Sequence, residues 1–206
     1  IVTSADSLTK KHKEKYLING NIGDGIFVLS SAEVRKLNQL NSFEKNIIKP
    51  FFKNSDIRRY YVKENTETYY IRLICPGDKN IPVTDFPNIF LHLKKYKKIL
   101  ENRSLNCNGL DKIIKQGIWW LIAQGRRLNF SQPKIVSPQR SNTNTFAYNE
   151  TDWCASADVY FITEKDKTFL LKYVLALLNS KLYYLWLYHR GKMKGEFLEL
   201  YATPLK

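Results

Sequence analysis

Apolar and polar positions alternate along this chain in short stretches that predict strands and helices of modest length. Gly20 to Gly25 gathers glycine, asparagine and aspartate into a turn, and the strand Ile26-Phe27-Val28-Leu29 follows it. Ser30 or Ser31 then caps a helix through about Leu40, with Glu33 in the first turn, where its charge suits the helix dipole. A second helix, Phe43 to Ile48, stops at Lys49-Pro50, because the residue before a proline avoids helical angles. Arg58 to Val62 and Thr68 to Ile74 are β-rich. The polar turn Lys63-Glu64-Asn65-Thr66 between them predicts a hairpin, closed by Cys75-Pro76-Gly77-Asp78. From about Asp85 to Arg103, Phe86, Ile89, Leu93, Tyr96 and Leu100 recur at steps of three and four on one helical face, with Lys94, Lys95 and Lys98 opposite.

The second half alternates again. Gly117 to Ala123 is short and apolar, and its period does not decide between strand and helix. Gln124-Gly125-Arg126-Arg127 is a basic loop. Lys134 to Ser137 and Val159 to Ile162 predict strands on either side of a polar excursion, and Glu164 to Arg190 predicts one long helix, apolar nearly all round. Gly191-Lys192-Met193-Lys194-Gly195 is a basic turn after it. The expected fold class is α+β: small mixed sheets, packed helices and a long C-terminal apolar helix. Residues 1–19 are polar and lysine-rich and suggest a linker or loosely held lead-in, with one domain over residues 20–206. The chain starts at Ile1 without an initiator Met, which suggests a piece of a longer protein.

Composition sharpens this picture. Lys+Arg number 33 against 19 Asp+Glu, a formal charge of +14, which implies a polyanionic partner whose phosphates exchange their counterions for protein cations. Hydrophobic residues make up 44 %, with 13 Tyr, 11 Phe and 4 Trp, enough for a packed core and too many for a disordered basic tail. Trp119, Trp120, Trp153 and Trp186 are assigned to that core. Cys75, Cys107 and Cys154 are odd in number and widely spaced, which argues against a disulfide framework or zinc site and for thiols in a reducing compartment, the cytoplasm. The longest unbroken apolar run in the C-terminal stretch, Leu182 to Tyr188, is far short of the ~20 residues of a membrane span.

Several chemistries lack their residues. Gly23-Asp24-Gly25 precedes a strand instead of a helix and lacks the third glycine of a dinucleotide loop. His12, His92 and His189 lie far apart, and structural roles are expected for His92 and His189. No Asp or Glu has a lysine two residues later, which removes the Asp/Glu-x-Lys metal-nuclease signature, and no Pro-Pro dipeptide offers the loop that holds a flipped adenine. No catalytic residue, metal site or cofactor is expected in this fragment. The polar excursion is where chemistry concentrates: Gln139, Arg140, Asn142 and Asn144 carry the paired donors and acceptors that fit base edges, arginine to guanine and amides to adenine.

The order Gly23-Asp24-Gly25-Ile26-Phe27-Val28-Leu29, then Ile47 to Tyr60 (with Lys49-Pro50-Phe51-Phe52-Lys53), Pro133-Lys134-Ile135-Val136, Phe146 to Ile162 and Leu175 to Leu182, resembles the TaqI-like C-terminal specificity domain of adenine-specific DNA methyltransferases and fused restriction–modification enzymes. The resemblance runs from about residue 20 to the end, and Thr203-Pro204-Leu205 matches the family's closing proline motif less well. It implies a target-recognition domain that grips duplex DNA, and a separate domain of the same polypeptide that binds S-adenosylmethionine, methylates N6 of adenine and in some members accompanies a nuclease.

Recognition loops differ among members, so contacts are assigned from side-chain chemistry. Gln139, Arg140, Asn142 and Asn144 would contact bases. Lys49, Lys53, Arg58, Arg126, Arg127, Lys134, Lys192 and Lys194 would contact phosphates and set the register. Each has a plainer reading: Asn142 and Asn144 suit turns, and only one of Arg58 and Arg59 can face the duplex if they lie on a strand. Two other functions stay open. One is a stand-alone single-strand or RNA binder that stacks bases on Tyr60, Tyr61, Tyr69 and Tyr70. The other is a non-catalytic subunit-contact domain with incidental charge.

Overall fold

The computed structural model describes residues 6–37, 39–73, 81–103, 110–122, 131–156, 158–164 and 170–200. The chain divides into two compact units. The first comprises Ile1–Pro50 with Glu67–Leu128, the second Phe51–Thr66 with Asn129–Lys206.

In the first unit the polar lead-in is packed. Helix α1 (Lys10–Tyr16) starts where the Thr9 hydroxyl accepts from the His12 amide, and Leu8 and Ile18 on either side are buried. The Asp6 carbonyl accepts the amides of Ile26, Phe27 and Val28, which ties the lead-in to strand β1 (Val28–Ser30). Gly25 in the turn before β1 admits no side chain, since a Cβ there would lie 2.3 Å from the Val28 carbonyl oxygen. Its amide donates to Glu33 Oε1 (2.6 Å). Glu33 Oε2 accepts from the Ser30 amide in the capping box that starts α2 (Ser31–Lys36). Helix α2 stops short of the expected Leu40.

Helix α3 (Ser42–Ile47) runs into β2 (Ile48–Phe52) one residue before Lys49-Pro50. Glu44 is fully buried, yet its carboxylate accepts from the amides of Asn41, Asn88 and Ile89 and from Asn88 Nδ2. Burial alone would raise its pKa, but these donors, led by the Asn88 side chain, hold it below the usual range.

The expected hairpin does not form. Strand β3 (Thr68–Ile71) has both edges occupied, by β1 with Val28 opposite Tyr70 and by β2 with Ile48 opposite Ile71. The single helix expected over 85–103 is two, α4 (Pro87–Lys94) and α5 (Lys97–Glu101), because the chain leaves helical geometry at Tyr96 (ψ 13). The apolar stripe still holds: Phe86, Ile89, Leu93, Tyr96 and Leu100 are all buried, and Lys94, Lys95 and Lys98 exposed. His92 is structural, its Nε2 3.1 Å from the Ile26 carbonyl. Helix α6 (Leu110–Lys115) precedes Trp119, which is buried among aromatics.

The second unit is organised on β4 (Lys134–Pro138), flanked antiparallel by β6 (Ala147–Asn149) and β8 (Val159–Thr163). All of β4 is buried. Ile135 joins one core with Phe146, Leu175, Leu178, Leu187, Leu198 and Leu200, while Val136 joins another with Phe52, Ile57, Val62, Trp153 and Val159. Burial on both faces explains why the adjacent Ile135 and Val136 are both apolar, without polar alternation. Arg58 to Val62 is a loop held by the Arg58 amide on the Tyr61 carbonyl (2.9 Å) and by two isolated bridges, Ile57 to Val62 and Tyr60 to Ala147. Strand β7 (Cys154–Ala155) lies parallel to Phe51–Phe52 of β2.

The C-terminal helix is a correction. Two helices stand where one was expected, α7 (Leu171–Leu178) and α8 (Lys181–Arg190), with Asn179 and Ser180 between them. Ser180 is extended (ψ 156), and its hydroxyl caps the Tyr183 amide. The Asn179 side chain, fully buried, accepts from the Phe146 amide and donates to the Phe146 carbonyl. The polar pair thus ends one helix and starts the next. Neither helix is apolar all round in its packing. Leu182, Leu185, Trp186 and Tyr188 are exposed, so Trp186 is not the core residue expected of it.

Candidate nucleic-acid interface

The excursion after β4 folds into a second small sheet. Strand β5 (Arg140–Ser141) pairs antiparallel with β10 (Phe197–Glu199), which in turn pairs with β9 (Met193–Lys194). Leu198 sits opposite Ser141 and Met193 and points into the core, so its neighbours Phe197 and Glu199 take the other face. Across from them, on that outer face, lie Lys194 and Arg140. Residues more than fifty positions apart in sequence, expected there as a base contact and phosphate contacts, therefore share one surface.

Glu199 organises it. The residue is 4 % exposed, with its Oε1 3.4 Å from Arg140 Nε and its Oε2 3.2 Å from Lys192 Nζ. One buried anion thus fixes two cations and leaves the face net positive. Arg140 is exposed, and its two terminal nitrogens have no partner among the described residues. Gln139 is pinned through its backbone, the amide donating to the Asp158 carbonyl (2.6 Å) and the carbonyl accepting from Leu200 (2.8 Å), while its side-chain amide has no partner among the described residues. Asn142 is exposed and equally unengaged.

Asn144 is different. It is buried, and its Nδ2 donates to the carbonyls of Leu178 (2.6 Å) and Ser180 (2.9 Å), so it ties the excursion to the α7–α8 junction and offers nothing to a base. The Ser141 and Thr145 hydroxyls (2.8 Å apart) close the base of the same turn. The excursion is therefore anchored at both ends, with 139–143 presented at its tip.

Lys134 is a second correction. It is 1 % exposed and donates to the Thr151 carbonyl (2.7 Å), and desolvation pushes its pKa down to about 8. A charge held under the sheet cannot reach a phosphate. Lys53, Lys192 and Lys194 are exposed, whereas Arg58, also exposed, spends Nη1 on the Ser55 and Ile57 carbonyls. Arg59, on the same loop, donates to the Asn179 carbonyl and lies over the Tyr60 ring. Lys49 belongs to the first unit, its Nζ 3.1 Å from Asn46 Oδ1. Arg126 and Arg127 lie outside the described residues. Of the four tyrosines suggested as a stacking platform, Tyr60 and Tyr61 are exposed in the second unit, but Tyr70 is buried in the first.

Sequence reasoning missed Glu199 and Phe197. The signal was the alternation Phe197-Leu198-Glu199-Leu200, whose period of two marks a strand with leucines inward.

A model of the TaqI-like C-terminal specificity domain matches residues 49–205. The chain belongs to this family. Among curated relatives, this specificity domain is 29 % identical over 180 residues to the type II methyltransferase M.MjaIV of Methanocaldococcus jannaschii, covering 84 % of this chain and 56 % of the relative. It is 26 % identical over 129 residues to the type II methyltransferase M.HindII of Haemophilus influenzae, covering 60 % of this chain and 24 % of that one. The domain thus spans only part of the relatives' length. Its fold is similar to that of the type IIL restriction–modification enzyme MmeI, solved in complex with DNA: TM-score 0.57 at 13 % identity, over 99 % of this chain and 24 % of that one. Among the described residues no helix is long and apolar enough to cross a membrane.

Proposed function

We propose that this specificity domain selects the target sequence for an adenine-specific DNA methyltransferase, by sequence-specific binding of duplex DNA. The observation that carries the reading is the outer face of the β5–β10–β9 sheet, where Arg140, Lys192 and Lys194 gather over the buried Glu199. Arg140, Gln139 and Asn142 offer base-edge donors and acceptors from a tip whose backbone is fixed, and a good bidentate pair is worth ~1–3 kcal/mol of discrimination. Lys192, Lys194 and Lys53 supply positive charge for phosphates, which sets register without reading sequence. The methyltransferase domain of the same polypeptide, with S-adenosylmethionine as its cofactor, would act on an adenine extruded from the duplex so held. The fragment itself contributes recognition and no catalytic group.

Competition between duplex and single strands of one sequence tests this directly. The duplex should win, and its affinity should fall steeply with salt. Preference for the single strand would overturn the proposal in favour of base stacking, and affinity insensitive to salt would favour a subunit-contact role.

A further inference from the structure

Residues 58–61, Arg-Arg-Tyr-Tyr, form the tip of a tight turn in the second unit. Ile57 and Val62 bridge each other at its base and are buried, whereas all four tip residues are exposed. The Arg58 amide closes the turn on the Tyr61 carbonyl (2.9 Å). Tyr60 stands at φ 78, in the left-handed region, where a bulky side chain meets a steric cost that glycine avoids. Leu17, also at positive φ, is the C-cap of α1 and has the ordinary reason of a helix end. Tyr60 is on no helix and has no such reason.

Its backbone is fastened on both sides. The Tyr60 amide donates to the Phe146 carbonyl (2.7 Å), and the Tyr60 carbonyl accepts from the Tyr148 amide (3.3 Å). Arg59 donates from Nη2 to the Asn179 carbonyl, and its guanidinium lies 5.4 Å from the centre of the Tyr60 ring. Phe146 is held in turn by the Asn179 side chain, and the Thr145 hydroxyl beside it meets that of Ser141 in β5. The Tyr60 turn and the excursion that carries Arg140 are thus mounted on one hydrogen-bonded frame. That frame fixes the Tyr60 backbone while 49 % of the residue stays in solvent. A buried ring would explain the strain by its packing. Strain maintained at the surface points instead to a task for the side chain.

We propose that Tyr60 is a further DNA-contacting residue, which lays its ring on a base face uncovered where the duplex is unstacked. The inference rests on the duplex binding proposed above and adds a contact of another kind. Stacking accepts any base, so Tyr60 contributes affinity without choosing sequence, whereas Arg140 chooses. A ring whose backbone is already fixed loses little freedom when it stacks. Extrusion of an adenine takes a stacking partner from its neighbours, and an aromatic ring restores one.

The test measures binding of the 206-residue chain to an intact duplex and to copies with an abasic site at each position in turn, across a salt series. One abasic position should bind more tightly than the intact duplex, because its gap exposes a base face in advance. Tyr60→Gly should weaken that complex about tenfold, in the range of one base–aromatic stack, and leave the salt slope unchanged. Tyr60→Phe keeps the ring and should bind as the unmodified chain does. Tyr60→Gly should also melt no lower, since glycine takes φ 78 freely, so the lost affinity is not lost folding. Equal affinity of Tyr60→Gly, a salt slope shallower by about 0.9, or an equal loss in Tyr60→Phe would overturn the proposal, the second by revealing a phosphate contact and the third a role for the hydroxyl. A lower melting temperature of Tyr60→Gly would overturn the strain that motivates it. If the unmodified chain binds no duplex, the proposed function falls as well; if it binds and Tyr60→Gly binds equally, only this inference falls.

Discussion

Replacing Glu199 by glutamine should separate sequence selectivity from raw DNA affinity. The carboxylate is nearly buried, but its partners Arg140 and Lys192 are 40 % and 63 % exposed at the side chain, so each pair lies nearer the surface regime than the buried one. Screening leaves the two together about 1–2 kcal/mol of stability. At this chain length that is about 3–6 °C in melting temperature. The face also loses its negative charge at Glu199, so a scrambled duplex should bind more tightly, with a salt slope steeper by about 0.9. Arg140 loses the contact that fixes its Nε, so discrimination between a preferred and a scrambled duplex should fall by ~1 kcal/mol, about fivefold. Anisotropy titrations of both duplexes across a salt series read all three quantities. Unchanged discrimination with unchanged salt slope would refute the role given to Glu199, as would equal loss of affinity for both duplexes.

Other expectations concern the supports of that face. Asn179→Ala should cost about 2–3 kcal/mol, because the Phe146 amide is left buried and unpaired while the Phe146 carbonyl keeps only the Tyr60 amide; a loss under about 1 kcal/mol in denaturant unfolding would contradict the clamp. Glu44→Ala should cost about 3 kcal/mol or more, since the amides of Asn88 and Ile89 lose their acceptor, and hydrogen exchange at the start of α4 should rise selectively. Lys134→Met should leave DNA affinity unchanged and make stability less dependent on alkaline pH. The folded-state pKa of Lys134 is lowered to about 8, so between pH 8 and about 10.4 the unfolded chain holds the extra proton and wild-type stability rises with pH. A difference between wild type and variant that stays flat from pH 8 to 10 would contradict this.

The legible parts of the sequence were those governed by local period and capping. Lys134 to Ser137 and Val159 to Ile162 became β4 and β8 nearly to the residue, and the stripe from Phe86 to Leu100 was buried despite the break at Tyr96. Local period misled where long-range pairing decided. Thr68–Ile71 is β-rich for any partner, and only the tertiary fold gives its edges to β1 and β2 instead of to residues 58–62. At the C-terminus the apolar count continued through Asn179-Ser180, and the capping serine was the stronger signal. Within the site, side-chain chemistry picked Arg140, Lys192 and Lys194 but could not foresee their common surface, which depends on a strand register across more than fifty residues. Nor could it separate Asn142 from Asn144, identical in type and two residues apart, one at the tip and one buried under α7 and α8.

In the proposed mode of binding, the tip of the excursion senses base identity while the neighbouring lysines sense charge. Selection from a randomised duplex pool, run in parallel with the unmodified chain, Arg140→Ala and Lys194→Ala, tests it most directly. Arg140→Ala should lose preference at one base pair and keep the rest of the motif, whereas Lys194→Ala should return the same motif with every sequence weakened alike. Recovery of an unaltered motif from Arg140→Ala, or of no motif from the unmodified chain, would contradict the account.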